Sequence, residues 1–152
     1  MRYANDMAEH EADDRPLASR LRLAVVRLNR RLRAQRTSST VTLTQYSALS
    51  SLKKCGPMTP GELAAKEVVQ PPSMTRVIAA LEDLGYVSRR PHPTDGRQSI
   101  VELTDEGTAY VLADISAREA WLDKRLAGLT DAERDKLAEA AEIIDRMAGQ
   151  PD

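Results

Sequence analysis

The stretch that most limits what this chain can fold into is Tyr86-Val-Ser-Arg-Arg-Pro-His-Pro-Thr-Asp-Gly-Arg-Gln-Ser-Ile-Val-Glu-Leu-Thr104. It reads as two short strands around a basic, turn-rich tip. Within His92-Pro-Thr-Asp95-Gly96, Pro and Gly enforce a tight reversal. The hairpin follows directly on a helical stretch and carries Arg89, Arg90 and Arg97.

Outside the hairpin, the apolar residues recur at helical spacing. Pro16 suits a first helical turn, and Leu17, Leu21, Val25, Leu28 and Leu32 predict a long amphipathic first helix ending near Arg36. A loop follows over 37–40. Thr44 is the expected cap of a second helix bearing Tyr46, Leu49 and Leu52, which stops at Cys55-Gly56-Pro57. Thr59-Pro-Gly-Glu62 combines a capping threonine, an early proline and a glutamate three residues on, which is a capping box. It opens a short third helix with Leu63, Ala64 and Val68. Gln70-Pro-Pro-Ser73 opens a fourth, with Met74, Val77, Ile78, Leu81 and Leu84 on one stripe and Gly85 as its C-terminal stop. Thr104-Asp-Glu starts a fifth helix through Leu112, Ile115, Trp121, Leu122 and Leu126. Thr130-Asp-Ala-Glu133 is a second capping box, before a last helix striped by Leu137, Ala141, Ile144 and Ala148.

The fold expected is therefore mainly α with a small β-hairpin. Residues 1–14 read as a disordered acidic tail, 15–36 as an N-terminal helix, 41–104 as a compact middle region and 105–149 as C-terminal helices. At 152 residues the chain is long enough for one domain and its core and short for two. With no Phe, one Trp and four Tyr, that core must be aliphatic, which suits packed helices. No apolar run reaches the roughly 18 residues of a membrane span. The acidic N-terminus lacks the basic-then-apolar order of a signal peptide. One cysteine excludes an intrachain disulfide and fits a reducing cytoplasm. The net charge of −1 hides strong segregation. Residues 15–36 carry eight arginines and no acid, whereas 101–152 carry thirteen acidic and six basic residues. Local fields can steer toward phosphate even when the total is near zero.

The stripe on the fourth helix leaves Pro72, Thr75, Arg76, Ala79 and Asp83 on the opposite face. Its N-terminal half is small or donor-rich, so it can approach base edges closely, and Ser73 with the first-turn amides can hold a phosphate oxygen. An ordinary solvated helix face would look similar. The hairpin tips the balance, because a guanidinium at its tip (Arg97) can enter a narrow minor groove, with Asp95 two residues earlier able to orient it. Two short helices followed by such a hairpin are the order of a winged helix-turn-helix.

The sequence resembles the MarR family of bacterial regulators over residues 41–112. The residues that carry the resemblance are Leu43-Thr-Gln-Tyr-Ser-Ala-Leu49, Gly56-Pro-Met-Thr-Pro-Gly-Glu-Leu-Ala64, Pro72-Ser-Met-Thr-Arg76, Leu81-Glu-Asp-Leu-Gly-Tyr-Val87, Asp95-Gly-Arg97 and Leu103-Thr-Asp-Glu-Gly107. The resemblance implies a winged helix-turn-helix flanked by N- and C-terminal dimerisation helices, a homodimer on a palindromic operator in double-stranded DNA, and regulation more often by repression. It implies DNA contacts by Thr59, Gln70, Pro71, Pro72, Ser73, Thr75 and Arg76, wing contacts by Asp95 and Arg97, and backbone contacts by Arg89 and Arg90. Many members carry a second arginine where this chain has Gly96, so each wing has one charge fewer.

The stripes on the outer helices, including Leu17, Leu21, Val25, Trp121, Leu137 and Ile144, are the expected dimer surface. Family members often bind small aromatic acids. Tyr46 and Tyr110 are candidates to line such a pocket, although half-buried packing explains them as well. Cys55, between two lysines and Gly56, reads as a small residue at a helix end, with a thiol redox sensor as the alternative. With His10 and His92 the only histidines, there is no catalytic triad, phosphate-binding glycine loop or metal-ligand cluster, so no enzyme, cofactor or metal is expected. A winged helix used only for protein contacts stays open.

Overall fold

The structure, a computed structural model, describes residues 16–36 and 40–149; the expected tail at 1–14 and most of the 37–40 loop lie outside them. It contains α1 (Leu17–Arg33), α2 (Leu43–Cys55), α3 (Pro60–Glu67), α4 (Pro71–Asp83), β1 (Val87–Pro91), β2 (Ser99–Leu103), α5 (Asp105–Leu126) and α6 (Asp131–Ala148). The chain divides into two compact units, one of residues 36–117 and one of 1–35 with 118–152, so α5 begins in the first and ends in the second.

The 36–117 unit has an aliphatic core. Ala48, Leu49 and Leu52 of α2, Leu63 and Ala64 of α3, Met74, Ile78 and Leu81 of α4, and Val87, Val101 and Val111 bury together. β1 and β2 pair antiparallel, with Val87 opposite Leu103 and Arg89 opposite Val101. A third segment joins them: Met58 exchanges backbone bonds with Val101 (3.1 and 2.8 Å), which ties the start of α3 to the hairpin.

The helix ends explain where the elements stop. Both predicted capping boxes form, Thr59 with Glu62 and Thr130 with Glu133. The second helix is capped differently from expectation. Thr42 accepts from the Gln45 amide and Gln45 returns the bond to the Thr42 amide, so Thr44 lies inside the helix. A full box requires an acceptor three residues on, and Thr42 has one in Gln45. The first helix stops at Arg33 rather than near Arg36.

α3 and α4 both end in the Schellman pattern. After α4, the Gly85 amide bonds Glu82 O and the Tyr86 amide bonds Leu81 O, each at 2.9 Å, with Gly85 at φ 75°. After α3, Val68 and Val69 make the same pair of bonds to Ala65 and Ala64. Here the left-handed position is held by Val68, at φ 53° and 92% exposed, so it neither belongs to α3 nor packs on its stripe as expected.

One junction joins α4, the hairpin and α5. The Thr104 hydroxyl donates to Gly85 O at 2.6 Å and accepts from the Gly107 amide at 3.0 Å, while the Thr104 amide bonds Tyr86 O at 3.1 Å. A Cβ on Gly107 would lie 1.9 Å from Tyr86 O, so only glycine allows this approach.

In the other unit, neither α1 nor α6 has a buried residue. Leu17 is 76% exposed and Leu137 49%, with Val25, Ile143, Ile144 and Met147 also exposed; Leu21 and Trp121 are half-buried. Arg125 lies over the Trp121 ring, 5.2 Å from its centroid, and Arg134 donates to Leu126 O and Leu129 O across the α5–α6 turn.

Two predictions follow from the helix ends. Val68→Asn raises unfolding free energy by about 1 kcal/mol, because a β-branched residue is strained in the left-handed region and Asn is not; a higher urea midpoint at unchanged slope is the expected reading. Glu62 and Glu133 are both held below the ordinary carboxylate range, first by the capping threonine's amide and then by its side chain, with burial opposing. A depressed folded value means stability present above the unfolded value and lost as pH falls through the folded one. Urea midpoints should therefore fall more steeply below the ordinary value of 4.5 in the wild type than in Glu62→Gln/Glu133→Gln.

Candidate nucleic-acid interface

The apolar stripe of α4 faces the core through Met74, Ile78 and Leu81, and this turns Pro71, Pro72, Ser73, Thr75, Arg76, Ala79 and Asp83 outward. Gln70, the exposed residue before the helix, makes no side-chain cap, so its amide group is available. The first-turn amides expected to hold a phosphate are not open to one: Pro71 and Pro72 have none, and the amides of Ser73 and Met74 bond Gln70 O at 2.9 and 3.0 Å. The Thr75 hydroxyl donates to Pro71 O at 3.0 Å and keeps its lone pairs as acceptors. Arg76 is exposed and has no ion pair among the described residues. The first half of α4 thus presents small groups, hydroxyls and one free guanidinium.

Thr59 differs from its expected place in this set. It is 8% exposed, and both its amide and its hydroxyl are engaged with Glu62, at 2.8 and 3.2 Å. Its contribution is to shape the start of α3. A shallow groove of about 390 Å³ nevertheless brings Thr59, Pro60 and Gly61 together with Arg97, Gln98 and Ser99.

The hairpin tip is organised by its own side chains. His92 Nδ1 accepts from the amides of Thr94 and Asp95, at 3.2 and 3.1 Å. Asp95 Oδ1 accepts from the Arg97 amide at 3.0 Å, and Oδ2 from Gln98 Nε2 at 3.2 Å. The carboxylate therefore orients Arg97 by accepting from its backbone amide. The Arg97 side chain stays exposed, without an ion pair among the described residues.

Arg89 and Arg90 are not free in the same way. Arg89 Nε bonds Glu82 Oε2 at 3.0 Å, and Arg90 Nε bonds Glu102 Oε2 at 3.1 Å. Sequence reasoning missed both glutamates and the capping role of His92. Glu102 and Arg90 do lie on strands that a register would have aligned, but Glu82 and Arg89 meet only because the chain bends between them.

The two candidate effector-site tyrosines are half-buried against the core of the 36–117 unit. Tyr110 stacks on Tyr86 with centroids 4.8 Å apart, and its hydroxyl is buried without a hydrogen-bond partner among the described residues. Arg36 lies over the Tyr46 ring at 5.8 Å and donates to Val41 O. Cys55 is exposed at the end of α2. Among the described residues there is no His, Cys, Asp or Glu cluster able to hold a metal, and no helix is long and apolar enough to cross a membrane.

Comparison with known proteins agrees with this geometry. The model of the MarR family matches residues 41–99, from the start of α2 to the start of β2. An HTH-type transcriptional regulator of Mycobacterium bovis is 53% identical over 131 residues, which cover 86% of this chain and 92% of that protein. The HTH-type transcriptional repressor MdtR of Bacillus subtilis is 32% identical over 114 residues, 70% of this chain and 74% of its own. The apo crystal structure of MarR from E. coli matches with a TM-score of 0.71 at 26% identity, over 86% of this chain and 96% of that one. An outward-facing α4, a basic hairpin behind it and these relatives together establish that the chain belongs to the MarR family of winged helix-turn-helix transcriptional regulators, a DNA-binding and non-enzymatic class.

Proposed function

We propose that this protein is a homodimeric cytoplasmic repressor that reads a palindromic operator, each subunit placing α4 in a major groove and its wing in the adjacent minor groove. The observation that carries this reading is a pair of exposed arginines without an ion pair among the described residues, Arg76 on the outward face of α4 and Arg97 at the wing tip. Gln70, Pro71, Pro72, Ser73, Thr75 and Arg76 meet base edges and their flanking phosphates. Arg97 enters the minor groove with Asp95 holding the tip beneath it. Thr59 supports the first turn of α3 through its capping box with Glu62, beside the groove that Arg97 lines.

Dimerisation rests on the exposed stripes of α1 and α6, which a single copy leaves unburied. The arginines of α1 and the acids of α6 are complementary across a twofold interface. Half-sites then lie about one DNA turn apart, roughly 34–36 Å. A small aromatic acid near Tyr46 and Tyr110 is the effector class that belongs to this reading.

The test is selection of retained duplexes from random double-stranded DNA at physiological salt. A palindrome with half-sites about ten base pairs apart is expected. On that operator Arg76→Ala and Arg97→Ala should each weaken binding by about 1–3 kcal/mol per half-site. Retention without any motif, or variants that bind as wild type, would overturn the assignment.

A further inference from the structure

The reading helix and the wing are joined by only Leu84, Gly85 and Tyr86, with Gly85 in the left-handed region. A side-chain bond crosses this bend. Glu82, in the last turn of α4, accepts from Arg89 on β1 at 3.0 Å, with the two side chains 33% and 35% exposed. Arg89 sits opposite Val101, at the middle of the strand pairing, so the bond grips the hairpin at mid-length.

The position of Glu82 is unfavourable for a carboxylate. α4 carries Glu82 and Asp83 at its C-terminal end and no basic residue in its last turn, the reverse of what the helix dipole favours. Arg89 supplies the missing positive charge from outside the helix. The neighbouring pair, Arg90 with Glu102, has the same chemistry and nearly the same length, 3.1 Å, but joins β1 to β2 within the hairpin. It cannot act on the angle between hairpin and helix.

We propose that Glu82–Arg89 is a brace that sets the angle of the wing to the reading helix, making Arg89 a positioning residue for sequence reading rather than a phosphate contact. This rests on the DNA-reading function proposed above. Two elements that read adjacent grooves combine their contacts on one site at a lower ordering cost when their spacing is set before binding. A half-exposed ion pair adds little to stability, so the effect of losing it falls on the angle and not on folding.

The test compares binding to the selected operator with binding to a scrambled duplex over a range of salt, with thermal melting as a check on folding. Glu82→Gln should lower the ratio of operator to scrambled affinity by about tenfold, with the salt slope and melting temperature near wild type. Glu102→Gln makes the same change in charge and should keep the ratio. The swap Glu82→Arg/Arg89→Glu should regain most of it. Equal effects of Glu82→Gln and Glu102→Gln would reduce the brace to a charge effect and overturn it. A swap variant with a flatter salt slope and no recovery would instead make Arg89 a phosphate contact, also overturning it. If wild type selected no duplex at all, the DNA-reading function itself would fall, and the brace with it.

Discussion

One hydroxyl, that of Thr104, holds together the elements on which DNA reading depends. It donates to Gly85 O where α4 gives way to the hairpin, and accepts from Gly107 where α5 begins. The hairpin's exit is thereby fastened to its entrance, and α5 starts from the same point. The approach is so close that Gly107 has no room for a side chain against Tyr86 O. The root of a wing on a three-residue bend would otherwise be loosely held, since a short hairpin alone is marginal in water. The Met58–Val101 bridge ties β2 back to the start of α3, so the hairpin is held at its root from two sides.

Charge is organised around this frame. The chain is nearly neutral as a whole, yet its arginines differ in what they meet. Arg89 and Arg90 are matched by Glu82 and Glu102, while Arg76 and Arg97 are exposed and have no carboxylate partner among the described residues. In the 36–117 unit, the first half of α4 and the tip of the wing thus each present an exposed guanidinium. The α1 and α6 stripes add a second organising pattern, apolar and exposed within a single copy.

Much of this was legible from residue order because the signals are local. Thr59 with Glu62 and Thr130 with Glu133 are capping boxes at fixed spacing, and both form. The α4 stripe, read at helical period, correctly separated Met74, Ile78 and Leu81 from Arg76 and Thr75. Misreadings came where two local signals compete. Thr42 and Thr44 are both plausible caps, and Gln45 decides for the first. Val68 looks like one more apolar residue of α3, yet its backbone completes a Schellman turn usually given to glycine, so its side chain points to water.

The sequence by itself determined the element order, the aliphatic core, the outward face of α4 and a tight, basic hairpin after it. These follow from periods, caps and turn residues that act within a few positions of one another. It also carried the family motifs, which lie in the same local segments. Only the tertiary structure decided which arginines are free and which are bound, because Glu82 meets Arg89 and Glu102 meets Arg90 through a bend and a strand register that no local pattern encodes. It likewise decided that Asp95 grips the backbone of Arg97 and leaves the guanidinium exposed, since which donor a carboxylate meets depends on the path of the turn in three dimensions.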